Sequence, residues 1–179
     1  MEDIITLEPL QIEDREQFVL DNQWAFKHGA LIEFGARDNH LDMDGEIISK
    51  KTINACINNE KSHTFRILLN GEKVGGVIVK IDNETHRNEL EILFVSPNCH
   101  SKGIGHKAWK LIEEKYPDTR VWETCTPYFE KRNIHFYLNK CGFQIVEFWN
   151  EFNKCNELEG HEDSDGLDEM FKFQKIMKK

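Results

Sequence analysis

Gly103-Ile104-Gly105, with His100 and Lys102 just before it, is the stretch whose residue types first suggest chemistry. Glycines one residue apart let a backbone approach a ligand closely and take dihedrals closed to other residues. They open an amphipathic segment in which Ala108, Trp109, Leu111 and Ile112 make an apolar stripe, and Lys107, Lys110, Glu113 and Glu114 turn to water. A helix start carries N–H groups without intrahelical partners and a partial positive charge, so this loop can wrap an anion, with Lys102 adding a full charge. A tight strand-to-helix turn with no ligand is the plainer alternative.

The flanking residues separate the patterns that use such glycines. A P-loop needs Lys then Ser or Thr directly after the last glycine, where His106-Lys107 stand instead. Gly103, Gly105 and Ala108 satisfy a dinucleotide fingerprint, with Glu123 about 20 residues on. However, Ser96 to Lys102 separates the glycines from the strand, and too little chain follows for a second nucleotide-binding half. The run Val95-Ser96-Pro97-Asn98-Cys99-His100-Ser101-Lys102-Gly103-Ile104-Gly105 resembles motif A of the GNAT superfamily of acetyl-coenzyme A-dependent N-acetyltransferases, usually V-x-P-x-x-[QR]-x-x-G-x-[GA]. His100 departs from it, standing where the family generally has Gln or Arg on the pyrophosphate, although histidine also donates hydrogen bonds. Arg132 to Phe143, RNIHFYLNKCGF, resembles motif B, an Asn-bearing helix with a Phe-Tyr pair that ends in Gly-Phe. Its Tyr-to-Gly interval is one residue longer than usual and its Asn-to-Tyr interval is shorter.

The elements that must position these residues follow from pattern. Leu90, Ile92 and Phe94 alternate with Glu91, Leu93 and Val95 as a strand with two used faces, stopped by Pro97. Before it, Phe65 to Leu69 and Val74 to Ile81 flank Asn70-Gly71, a hairpin signal, and Asp82 to Asn88 turns into the organising strand. Ile4 to Leu7 reads as a first strand and Ile12 to Ala30 as a helix stopped at Gly29. Helical potential recurs around Ile47 to Ile57, after a polar loop from Arg37 to Gly45. Arg120 to Cys125 is a strand parallel to Leu90–Val95 through the helical crossover. Thr126 and Pro127 suit the N-cap and first position of a helix that runs to Lys140 and ends at Gly142. Phe143 to Trp149 and Met170 to Met177 are closing strands, and the acidic connector from Asn156 to Glu169 is expected to be a solvated loop. The resemblance, which covers Phe65 to Met177, implies an α/β (α+β) GNAT fold. This is a mixed, mostly antiparallel sheet of six to seven strands with flanking helices and a central splayed parallel pair. One domain, residues 1–179, is expected.

With 179 residues, 39% hydrophobic and 31% charged, the chain can bury one core. A formal net charge of −9 without a dense basic cluster argues against nucleic acid as a partner and favours a cationic one. Five cysteines without a C-x-x-C pair and eight histidines without metal-site spacing support neither a disulfide framework nor a metal. The acidic N-terminus is unlike a signal peptide and no apolar run reaches membrane length, so a cytoplasmic protein without a membrane partner is expected.

The resemblance implies acetyl-coenzyme A as cosubstrate and a small-molecule or peptide amine as acceptor; a homodimer is compatible with it. Pyrophosphate would lie on the backbone of Lys102, Gly103, Ile104 and Gly105 with His100 assisting, the pantetheine arm along Phe94 and Val95, and Asn133 and Phe136 on the second motif's helix. An ammonium must lose a proton before it attacks, and Glu91, then Glu89, are the candidate bases. Tyr137, where the family's tyrosine commonly reaches the sulfur, is the candidate general acid. Trp24, Phe26 and Phe34 are candidates to face the acceptor. An acyl-coenzyme A-binding sensor or partner module without turnover is the other reading.

Overall fold

Asn70 and Gly71 both take positive φ (53° and 87°), which a two-residue hairpin turn demands. They join β2 (Ser62–Leu69) to β3 (Glu72–Lys80). In the computed structural model, which describes residues 3–30, 43–100, 102–155 and 169–178, this hairpin anchors a seven-stranded sheet. The other strands are β1 (Ile5–Pro9), β4 (Arg87–Val95), β5 (Val121–Pro127), β6 (Gln144–Trp149) and β7 (Met170–Ile176). Spatial order is β1-β2-β3-β4-β5-β7-β6, and only β4 and β5 run parallel.

Helices cover both faces. α1 (Arg15–His28) and α2 (Lys50–Asn58) pack on one, where Phe18, Val19, Ala25 and Ile53 meet Ile78, Ile92 and Phe94. On the other, α3 (Ile104–Lys115) and α4 (Lys131–His135) cover a cluster that includes Trp109, Ile112, Trp122, Tyr137, Phe143 and Phe173. Gly76 lets α1 sit this close, since a Cβ there would collide with the rings of Phe18 and Phe94.

Several local expectations are corrected. Residues 12–14 form a 3-10 turn, and α1 begins only at Arg15. Glu113 is not turned to water: its carboxylate bonds Lys110 at 2.9 Å and also meets Lys175. Thr126 and Pro127 stay in β5, because their pairing with Phe171 and Met170 outweighs the local capping signal, and α4 starts at Lys131. Most important, the alternation of β4 is broken. Val79 opposes Leu90 and Ile78 opposes Ile92, so Glu91 is the extra residue of a β-bulge. Leu90 therefore packs on the α3 side, while Ile92 and Phe94 pack under α1 and α2. Phe34 and the connector from 156 to 168 lie outside the described residues.

α4 passes at Phe136 into a π-helical turn through Lys140, with the Cys141 N–H reaching back to the Phe136 carbonyl at 3.0 Å. A π turn is how a helix absorbs one extra residue without losing its packing. It accommodates the long Tyr-to-Gly interval and still lets Gly142 close the element at φ 79°.

Candidate active site

Arg87 to Glu89 pair with Val121 to Glu123, and the ladder stops there. Beyond that point β4 and β5 diverge, and their C-terminal halves enclose a gap. At its vertex the Thr124 hydroxyl donates to the Leu90 carbonyl at 2.8 Å. The Tyr137 hydroxyl in turn bonds the Thr124 side chain. Tyr137 is buried among Phe136, Phe143 and Phe173, and desolvation drives its phenol pKa well above the usual value, so it stays protonated at neutral pH.

On the opposite face, beneath α2, stands Glu91. Its carboxylate is half-buried and accepts from the Ser62 hydroxyl at 3.0 Å. Burial raises its pKa, the Ser62 bond opposes that, and the charge of Glu89 adds to it. The same two carboxylates help burial push the Cys56 thiol up to about 12, which leaves it an inert neighbour. Glu123, beside Glu89 on β5, behaves in the opposite sense. Gln174 (2.6 Å), Lys172 (3.5 Å) and Arg87 (2.9 Å) surround it and together outweigh burial, holding its carboxyl below the ordinary range. Of these two carboxylates, Glu91 is the one whose pKa burial raises.

The open end of the gap is built by the glycine turn. Gly103 caps α3 in the left-handed region (φ 71°) with open space over its Cβ position. The first N–H groups of a helix that starts here have no intrahelical partners. A Cβ on Gly105 would lie 3.5 Å from the Phe136 ring and 3.7 Å from a Val95 methyl, so Val95, Gly105 and Phe136 converge. Asn133 reaches Thr126 at 3.4 Å, and Lys102 is exposed beside the turn. Phe94 is buried under α1, while Val95 packs on the α3 side.

His100 does not point to solvent. Its Nε2 bonds the Val95 carbonyl at 2.9 Å and its Nδ1 meets Arg132 Nη1 at 2.7 Å, with the His28 ring 6.2 Å away. Trp24 is 47% exposed on α1, whereas Phe26 packs against the core. Sequence reasoning missed Thr124, Ser62 and Arg132. The first two carry no motif, and Arg132 gave a signal only as a member of the second motif. Among the described residues no group of His, Cys, Asp and Glu could hold a metal ion, and no helix is long and apolar enough to cross a membrane.

A sheet with one splayed parallel pair, a bulged strand leading into a glycine turn and a helix N-terminus at the open end is the architecture of the N-acetyltransferase fold. The chain belongs to the acetyltransferase (GNAT) family, whose sequence model matches residues 17–143. It is 44% identical over 180 residues to the uncharacterized protein YrkN of Bacillus subtilis (strain 168), covering 98% of this chain and 95% of that one. Among solved structures, it resembles the ribosomal-protein-S18-alanine N-acetyltransferase of Escherichia coli (TM-score 0.68, 12% identity, 98% and 96% of the two chains). It also resembles the spermidine N-acetyltransferase of Vibrio cholerae in complex with CoA and spermine (TM-score 0.65, 14% identity, 96% and 95%). A third likeness is to the PaiA N-acetyltransferase of Thermoplasma acidophilum in complex with coenzyme A (TM-score 0.63, 15% identity, 97% and 99%). At these identities the structural likeness is one of fold.

Proposed function

We propose that this protein transfers an acetyl group from acetyl-coenzyme A to a primary amine by direct attack in a ternary complex. The observation that carries the reading is the vertex of the β4/β5 gap, which has a protonated phenol on one face and a carboxylate of raised pKa on the other. Acetyl-coenzyme A, when bound, supplies a thioester carbonyl and a thiol leaving group. The residues fit it: the Gly103 turn and the N-terminus of α3 offer N–H donors to phosphate, with Lys102 adding charge, and Val95, Gly105, Phe136 and Asn133 line the walls.

In this assignment Glu91 takes a proton from the acceptor ammonium, directly or through water, with Glu89 raising its basicity. Tyr137 donates from its hydroxyl to the departing thiolate, whose reference pKa of about 8.5 makes that proton useful. The acidic face around Glu89 and Glu91 favours a cationic acceptor. The spermine in one structural neighbour adds a polyamine to the acceptors to be tried.

Free-thiol release from acetyl-coenzyme A, followed across polyamines, aminoglycosides, amino acids and peptides, tests the reading. At least one amine is expected to give turnover, with an acid limb in the pH profile. The sign follows from the base: Glu91 works only as carboxylate, so rate falls as pH drops through its raised pKa. Glu91→Gln is expected to abolish that limb and lower the rate about 100-fold. If Glu91→Gln and Glu89→Gln each leave the profile unchanged, the base lies elsewhere. Coenzyme binding without turnover on any amine would instead favour a binding module of the same fold.

A further inference from the structure

We propose that Ser62 is a positioning residue for the transfer reaction: its hydroxyl holds one oxygen of Glu91 and leaves the other, Oε1, to take the proton from the acceptor ammonium. This rests on Glu91 being the base, as assigned above, and adds β2 to the elements that build the site.

The placement comes from sheet register. Ser62 opposes Lys80 of β3, and Lys80 opposes Glu89 of β4. Directly opposed residues share a face of the sheet. It is the face of Ile78, two residues from Lys80, which packs under α1 and α2. Leu90 packs on the other face. Glu91, the extra residue of the bulge, brings its carboxylate back to the Ser62 face, where Ser62 Oγ lies 3.0 Å from its Oε2. A hydroxyl that starts two strands away thus reaches the bulged residue.

Ser62 is itself held. Its N–H donates to the carbonyl of Asn59, the C-cap of α2, at 2.9 Å, and the Lys61 carbonyl just before it accepts from the Ile81 N–H at 2.8 Å. The turn that ends α2 and the start of β2 therefore fix where the hydroxyl stands.

A carboxylate only accepts, so Ser62 gives its one hydroxyl hydrogen to Oε2. Among the described residues no other hydrogen bond reaches Glu91. Oε1 is therefore the oxygen that can receive a proton while the Ser62 bond stays made. That bond is stronger to the ionised carboxylate than to the neutral acid, so it opposes the burial and the Glu89 charge that raise the Glu91 pKa. Two further groups share this patch. Lys80 on β3 lowers the Glu91 pKa through its charge, and the Cys56 thiol on α2 is kept neutral by burial and by both glutamates.

Carboxyl-carbon NMR titration of Glu91, assigned by comparison with Glu91→Gln, reads the contact without reference to activity, and the pH profile of turnover reads its use. Ser62→Ala is expected to raise the Glu91 midpoint by about one pH unit and to move the acid limb of turnover up by the same amount. Above the limb, kcat is expected to fall about 10-fold with KM for acetyl-coenzyme A unchanged, because the carboxylate is no longer held in place. Ser62→Thr keeps the hydroxyl on a residue that suits a strand, and is expected to restore midpoint and rate. A midpoint that stays put in Ser62→Ala, or a kcat above the limb that does, overturns the proposal. So does a midpoint that moves equally in Ser62→Thr. A Glu91 midpoint that moves while the acid limb stays fixed refutes Glu91 as the base, a failure of the underlying assignment and a distinct result.

Discussion

Tyr137→Phe is expected to lower turnover about 100-fold or more while leaving the affinity for acetyl-coenzyme A nearly unchanged. The hydroxyl reaches the vertex of the gap through Thr124, while the ring packs against Phe136, Phe143 and Phe173. Phenylalanine keeps those ring contacts. Thr124 keeps its bond to the Leu90 carbonyl and loses only a donor, which costs about 1 kcal/mol of stability. A large fall in rate with a nearly unchanged melting temperature therefore marks a proton donor. A rate that survives, with the chemical step shown to limit turnover, would leave Tyr137 as a core tyrosine whose hydroxyl serves Thr124.

Arg66→Met is expected to cost about 3–5 kcal/mol, or about 10 °C in Tm. Arg66 lies on β2 with its side chain 3% exposed. It holds Asp14 through Nε at 2.6 Å and Nη2 at 3.1 Å, and Asp21 through Nη1 at 2.8 Å, with its guanidinium 5.1 Å from the centre of the Phe18 ring. Methionine leaves Asp14 with only the half-exposed Lys73 at 3.0 Å and strands a nearly buried carboxylate. The linkage has a definite sign. The Arg66 hydrogen bond holds Asp14 below its ordinary pKa, so its stabilisation is complete above the ordinary aspartate pKa of 3.8 and is lost as pH falls through the lowered one. Thermal melts across acid pH should show wild type and Arg66→Met converging as pH drops. A constant difference between them would contradict this account.

The β2/β3 hairpin, the parallel β4/β5 pair and the start of α3 were legible because each rests on local chemistry: Asn70-Gly71 with positive φ, an apolar run stopped by Pro97, and Gly103 at a helix start. The bulge at Glu91 was not. Strict alternation describes an unbulged strand, and the extra residue shows only against the register of β3. Thr126 and Pro127 misled for a related reason, since capping preference is local while their pairing with β7 comes from residues far along the chain. In the second motif the altered spacing was visible, but the π turn that absorbs it depends on how Tyr137 and Phe143 pack. For the site, residue types on the two motifs pointed to the walls of the gap. The partners that tune them, Thr124 for Tyr137 and Ser62 for Glu91, come together only through the sheet.

Isothermal titration of acetyl-coenzyme A into the wild type, Gly105→Ala and Gly105→Val tests the central assignment most directly. A Cβ at position 105 meets Phe136 and Val95 at ordinary contact distances, so alanine fits. The two further methyls of valine crowd the place where those walls converge. The account predicts one coenzyme bound per chain, affinity kept within about 3-fold in Gly105→Ala and weakened about 10-fold or more in Gly105→Val. No binding by the wild type, or equal affinity in all three proteins, would contradict it.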